Sequence, residues 1–128
     1  MPRLTFKKNE RLSSRKAIEE LYSSGKAFYS KNFKIIFLVR KQIQLYPCQI
    51  VFSVPKKLFK RAVDRNLLKR RMREAYRAGK PAFYKSLTDK KVFVHVLAIY
   101  NSKEILAFEQ ITKNMEEAIV DLLKKTGG

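Results

Sequence analysis

The side chains of this sequence best suited to chemistry are its cations, which are densest between Lys56 and Arg77. That segment holds ten basic residues against two acidic ones. At about 100° per residue on a helix, one arc roughly 100° wide collects Asn66, Lys69, Arg70, Arg73 and Arg77. Like charges at i, i+3 and i+4 destabilise a helix, whereas an arginine fork binds phosphate oxygens strongly. The spacing therefore predicts a helix that presents a row of cations to a phosphate backbone.

The opposite side of this predicted helix carries an apolar stripe of Leu68, Met72 and Ala75, with Tyr76 at its edge. A run of charge by itself is as often a solvated helix face as a binding surface. The segregation of stripe and cations favours binding, because one side can pack on a sheet while the other stays available. Arg71 falls on the flank between the two sides.

Nucleophiles and metal ligands are scarce. Cys48 and His95 are the only cysteine and the only histidine, so an intrachain disulfide and the usual Cys/His zinc sites are excluded. Both lie in strand-like runs, where a small hydrophobic cysteine and a structural histidine are the favoured interpretations. The 4 glycines form no phosphate loop. We expect no catalytic residue and no metal site, which indicates a binding protein rather than a self-sufficient enzyme.

The overall charge points to a polyanionic partner. The chain of 128 residues has 29 Lys and Arg against 11 Asp and Glu, a net charge of +18, whereas about 2 to 8 suffices for a small domain. Nucleic acid is the first hypothesis and an acidic membrane surface the second. No stretch approaches the ~20 apolar residues of a membrane span, and Met1–Lys8 lacks the apolar core of a secretory signal. We therefore expect a cytoplasmic protein.

The elements that must position these residues fit one domain. Ser13 or Ser14 can cap a first helix that ends at Gly25, and the basic helix is expected to break at Gly79–Pro81. An amphipathic helix runs to about Lys125. Strand-like runs occupy Lys26–Asn32, Phe33–Val39, Gln49–Val54 and Lys91–Tyr100. This order predicts an α+β fold, a single-domain α-β sandwich with one sheet of about four strands and three helices.

The run Arg65–Glu74 (RNLLKRRMRE) resembles the arginine-rich signature of the bacterial ribonuclease P protein subunit. Its approach, Phe52–Lys57 (FSVPKK) followed by Ala62-Val63, is also similar, as is the order of Arg11-Leu12, a helix and Gly25. The resemblance covers nearly the whole chain. Two positions depart from the pattern. Leu67 stands where the family usually has arginine, and the glycine usual after the paired lysines is replaced by a segment with one extra residue.

The resemblance implies a role in ribonuclease P, which removes the 5′ leader from precursor tRNA. In the bacterial enzyme the RNA subunit performs the hydrolysis with bound magnesium ions, while the protein contacts that RNA and the leader. It further implies a mostly antiparallel sheet like the second domain of a small-subunit ribosomal protein, with a left-handed βαβ crossover. On this basis residues 1–128 form one RNA-binding domain that binds no cofactor itself, touches no membrane and is monomeric in the holoenzyme.

Two sets of site residues follow. The row on the basic helix and its approach are expected to bind RNA: Lys56, Lys57, Arg61, Arg65, Asn66, Lys69, Arg70, Arg73 and Arg77. The positions that match the family's leader cleft are Ile18, Tyr22, Lys34 and Ile36. For Ile18 and Ile36 a place in the core is an equally good interpretation. Tyr22 is favoured, because its ring can stack on a base while its hydroxyl stays in water.

Two alternatives come from other functional classes. A ribosomal or chaperone-like RNA-binding protein without a processing role fits the composition and the helix equally well, and only the order of motifs favours ribonuclease P. Binding to a membrane surface through the basic helix fits poorly, because its apolar stripe is short and is needed by the core.

Overall fold

A four-stranded sheet forms the middle of the structure, a computed structural model that describes residues 10–41 and 46–127. The opening segment Met1–Lys8 lies outside these residues. Along the described chain the elements are α1 (Arg15–Ser24), β1 (Lys26–Ser30), β2 (Phe33–Arg40), β3 (Cys48–Ser53), α2 (Ala62–Asp89), β4 (Phe93–Tyr100) and α3 (Phe108–Gly127).

The strand order is β1-β2-β4-β3. β1 pairs antiparallel with β2, and β2 pairs antiparallel with β4, whereas β3 runs parallel to β4. Two parallel neighbours need a long crossover between them, and α2 provides it. The predicted α+β fold is confirmed, with three helices in the described residues and a mostly antiparallel sheet. The left hand of the crossover stays a prediction.

The two faces of the sheet are covered unequally. Side chains alternate along a strand, so Phe33, Ile35 and Phe37 of β2 point to the face on which α2 and α3 pack in the main core. Ile36 and Leu97 point to the other face, where they form a smaller cluster with Leu12 and Leu21 at α1. Within the described residues, one short helix thus covers a face that spans four strands, and part of that face is not covered by another described element.

α1 lies across the strands. The preceding segment pairs with β3, where the Leu12 amide donates to the Ile50 carbonyl at 2.9 Å. The Ser14 hydroxyl caps the helix by accepting from the Ala17 amide at 3.2 Å. At the other end, a Cβ on Gly25 would lie 2.8 Å from Cγ2 of Ile36 and closer still to the Leu21 carbonyl oxygen. Only glycine fits this approach, which seats the end of α1 on β2.

α2 is longer than its sequence pattern predicted. The expected break at Gly79–Pro81 is wrong, because the helix continues to Asp89 with Pro81 inside it. Proline removes one helical hydrogen bond, but Pro81 is exposed, so water can bind the freed carbonyl. The buried stripe continues past it with Phe83 and Leu87. Packing of these side chains on the sheet outweighs the local cost of proline.

A buried ion pair ties the start of the described chain to α2. The Glu10 carboxylate is 1% exposed and lies 2.8 Å from Nζ of Lys80. The Tyr84 hydroxyl donates to the same carboxylate at 2.7 Å. Since Arg11 forms a parallel bridge with Ile50 immediately afterwards, this pair holds the segment along the outer edge of β3.

We expect Lys80→Met to lower the free energy of unfolding by about 3 to 5 kcal/mol, because it removes the ammonium group that lies 2.8 Å from a buried carboxylate. The double variant Glu10→Gln/Lys80→Met should recover much of that loss, since it buries no unpaired charge. Urea denaturation of both variants and the wild type measures the difference. A single variant as stable as the double one would contradict the assignment.

Candidate nucleic-acid interface

The cations of α2 lie on the side of the helix opposite its buried stripe. Asn66 and Arg70 are exposed, and Lys69, Arg73 and Arg77 are partly exposed. Leu68, Met72, Ala75 and Tyr76 are all buried, so the predicted division of the helix into a packed stripe and a cationic arc is confirmed. Arg77 also forms an ion pair with Glu74, one turn before it. Exposed cations continue into the approach to the helix with Lys56, Lys57 and Arg61.

Two arginines of α2 are used to hold the protein's own backbone. The Arg65 guanidinium donates to the carbonyls of Phe59 and Lys60, at 2.9 and 2.8 Å. It therefore orders the loop in which the expected glycine is missing, and Phe59 of that loop is buried in the main core. Arg71 donates to the Leu106 carbonyl at 2.6 Å, which ties α2 to the segment before α3.

A cavity extends the cationic arc toward the edge of the sheet. It has a volume of about 390 Å³ and lies between α2, β3 and the segment before α1. Arg11, Lys69 and Arg73 line it together with Ser13, and Ile50 and Phe52 form part of its wall. Sequence reasoning did not assign Arg11 to this surface, because only the pairing of its segment with β3 brings it beside α2.

The second candidate surface is the open part of the sheet beside α1. Glu20 on one flank of α1 binds Arg40 at the end of β2, with 2.6 Å between Oε1 and Nη1. Tyr22 follows Glu20 by two residues, which is about 200° around the helix. Because Glu20 fixes the other flank beside Arg40, we infer that the flank with Tyr22 is directed toward the opposite end of β2, where Lys34 lies. We call the surface between this flank of α1 and the sheet the groove. α1 forms its wall and the sheet forms its floor.

The four residues predicted for leader binding divide between this groove and the core beneath α1. Tyr22 is 64% exposed on the groove flank, and Lys34 is partly exposed on the floor. Ile18 shares the flank of Tyr22 but packs against the small cluster under α1. Ile36 is 7% exposed in that cluster, so its side chain contributes to the core and not to the accessible groove.

Cys48 and His95 are both buried. The pKa of the Cys48 thiol is raised to about 12, mainly by burial. A hydrogen bond with Tyr76 opposes this rise, and the charge of Glu10 adds to it. Burial lowers the pKa of His95, and so does the charge of Arg40, whereas the charge of Glu20 raises it.

In the part of the chain that the structure describes, no three His, Cys, Asp or Glu side chains cluster where they could hold a metal ion. No helix within residues 10–41 and 46–127 is long and apolar enough to cross a membrane.

A family model described as Ribonuclease P matches residues 6–123 of this sequence. The chain belongs to the ribonuclease P protein family. The ribonuclease P protein component of Finegoldia magna is 35% identical over 118 residues, which cover 92% of this chain and 91% of that protein. The component from Porphyromonas gingivalis is 29% identical over 119 residues, covering 93% and 87%.

Solved structures of the family have the same fold. The RNase P protein of Staphylococcus aureus matches with a TM-score of 0.69 at 21% identity, over 94% of this chain and all of that one. The protein from Thermotoga maritima matches with a TM-score of 0.65 at 22% identity, over 93% and 99%. The resemblance inferred from the motif on α2 is thereby confirmed for the family and for the architecture.

Within this family, neighbouring arginines of α2 should differ in their effects. We expect Arg70→Ala to weaken binding to ribonuclease P RNA and to lower the slope of log affinity against log salt by about 0.7 to 0.9. Arg71→Ala should leave that slope nearly unchanged and instead lower the free energy of unfolding, by about 1 to 3 kcal/mol, because it removes the donor to Leu106. Salt-dependent binding and thermal melts distinguish them. Equal losses of affinity in both variants would contradict the assignment.

The thiol of Cys48 should be chemically inert in the folded protein. The thiolate is the reactive form, and with a pKa of about 12 its population at pH 8 is about four orders of magnitude below that of the thiol. We expect iodoacetamide to leave the native protein unmodified at pH 8 and to alkylate Cys48 once urea unfolds the chain, as mass spectrometry would show. Rapid alkylation of the native protein would refute this environment.

Proposed function

We propose that this chain binds the RNA subunit of ribonuclease P through the exposed face of α2, and the 5′ leader of precursor tRNA in the groove beside α1. Membership of the family makes it a subunit of ribonuclease P, an endoribonuclease of tRNA maturation. This favours a processing role over the ribosomal or chaperone-like alternative. In the proposal, hydrolysis and its magnesium ions belong to the RNA subunit, and the protein binds no cofactor of its own.

The observation that carries the proposal is the separation of two surfaces by the sheet. α2 packs on one face with its cations outward, whereas the groove with Tyr22 and Lys34 opens on the other. A cationic helix suits a structured RNA, because phosphate contacts position a protein without reading sequence. An exposed aromatic ring beside a lysine suits an unpaired strand, because every base has a face that can stack.

The RNA-binding surface in this proposal has a centre and a rim. The centre consists of Asn66, Lys69, Arg70 and Arg73, and the cavity beside them adds Arg11. Lys56, Lys57 and Arg61 extend it along the loop before α2, and Arg77 extends it along the helix. Arg65 contributes its charge while it holds that loop in place.

Residues 1–128 act as a single RNA-binding domain, and one copy joins each RNA subunit. We place this assembly in the cytoplasm, where precursor tRNA is made in bacteria. The net charge of +18 is then balanced by RNA phosphates rather than by a membrane surface.

Replacement of Tyr22 tests the leader groove. With holoenzyme assembled on a bacterial ribonuclease P RNA, Tyr22→Ala should weaken precursor tRNA by up to about a hundredfold, since stacking on an aromatic ring is worth about 1 to 3 kcal/mol per base. Affinity for mature tRNA should hardly change, because it has no leader. Equilibrium binding of both RNAs measures the two effects.

Tyr22→Phe is the matched control, since it keeps the ring and should keep the affinity. As a second control, the protein assayed without the RNA subunit should cleave no precursor tRNA, because in the proposal hydrolysis belongs to that RNA. Because Tyr22 is exposed, the melting temperature of Tyr22→Ala should stay close to that of the wild type. Equal losses for precursor and mature tRNA would refute the groove as the leader site.

A further inference from the structure

We propose that Tyr29 is a second base-stacking residue, which binds an unpaired nucleotide of the leader where the groove ends at the outer edge of β1. The inference rests on the proposed function, because it extends the same groove to a residue that neither the sequence pattern nor the family motif singled out. Its ligand class is single-stranded RNA, in the part of the leader farther from the basic helix.

The strand register places Tyr29 on the floor of the groove. Tyr29 of β1 is paired with Lys34 of β2, Lys34 with Ile99 of β4, and Ile99 with Ser53 of β3. Residues paired in register point to the same face of a sheet, so these four side chains form one row across all four strands. The row spans three interstrand spacings, about 14 Å in total.

The row connects the two proposed surfaces. At its β3 end, Ser53 precedes the loop with the exposed Lys56 and Lys57, which leads into α2. At its β1 end stands Tyr29, 67% exposed. Lys34 lies between the two ends of the row. A strand that leaves the RNA bound at α2 can therefore follow the row past Lys34 to Tyr29.

The ring of Tyr29 is oriented by its neighbour. Nζ of Lys34 lies 5.6 Å from the ring centroid, a distance at which an ammonium is attracted to the face of the ring. This contact limits the motion of the ring and places a cation beside it. A base that stacks on the ring then brings its phosphate close to Lys34, so one pair supplies both interactions that unpaired RNA uses.

A cross-strand pair of this kind also stabilises a hairpin by itself, so the test must separate binding from stability. Tyr29→Thr removes the ring but keeps a residue that favours strands, and Tyr29→Phe keeps the ring. Each variant is assembled with ribonuclease P RNA. Its affinity is then measured for mature tRNA and for a series of precursors whose leaders grow one nucleotide at a time.

We expect Tyr29→Thr to bind precursors with short leaders and mature tRNA as the wild type does. Once the leader is long enough to reach the β1 edge, its affinity should fall by about five- to a hundredfold relative to wild type. Tyr29→Phe should follow the wild type at every length. The Tyr22→Ala variant serves as reference, and its loss should begin at a shorter leader.

Three results would overturn the inference: no loss for Tyr29→Thr at any leader length, an equal loss for mature tRNA, or a loss in Tyr29→Phe as large as in Tyr29→Thr. If Tyr22→Ala weakens the binding of precursor tRNA but not of mature tRNA in the same series, the proposed function stands and only the role of Tyr29 fails. If neither variant weakens the binding of precursor tRNA selectively, the groove itself does not bind the leader.

Discussion

The parallel pairing of β3 with β4 is the constraint from which the other features follow. After Ser53 the chain must run back along the sheet before it enters β4 at Phe93. A helix that makes this return across one face of the sheet buries one of its own sides there. At 1.5 Å per residue, the 28 residues of α2 extend about 42 Å, whereas a six-residue strand such as β3 covers about 20 Å. The crossover is therefore longer than the strand that it follows, and because only one side of it packs on the sheet, the other side carries cations without competing for space in the core.

The elements of the fold could largely be predicted from the sequence, because each depends on neighbours along the chain. The strands, the cap at Ser14 and the end of α1 at Gly25 follow from local patterns. The continuation of α2 through Pro81 could not be predicted in this way. It depends on Phe83 reaching the core and on Lys80 meeting Glu10, a partner 70 residues earlier in the chain. Local rules identify proline as a break, and only tertiary packing outweighs them.

The candidate site was predictable where it lies on one helix and less so where it depends on the sheet. The angular spacing along α2 is enough to place Lys69 and Arg70 together. Spacing does not reveal that Arg71 donates to the backbone carbonyl of Leu106, because that partner lies in a distant segment of the chain, just before α3. The same limit applies to the sheet: Ile36 is buried under α1, whereas Tyr29 is exposed beyond the helix. Their accessibility follows from strand register and helix placement, which emerge only in three dimensions.

The segment that begins at Glu10 also protects the sheet from other molecules. An outer strand with unpaired amides and carbonyls is a template for aggregation, and β3 is apolar, with Cys48, Ile50 and Phe52 along one side. The bridge between Arg11 and Ile50 covers this strand from outside. At the opposite margin, β1 is only five residues long, a length that offers little to pair with. Loss of the ion pair at Glu10 would thus weaken the attachment of the segment that covers β3, and exposure of this apolar edge strand would favour association between copies of the chain.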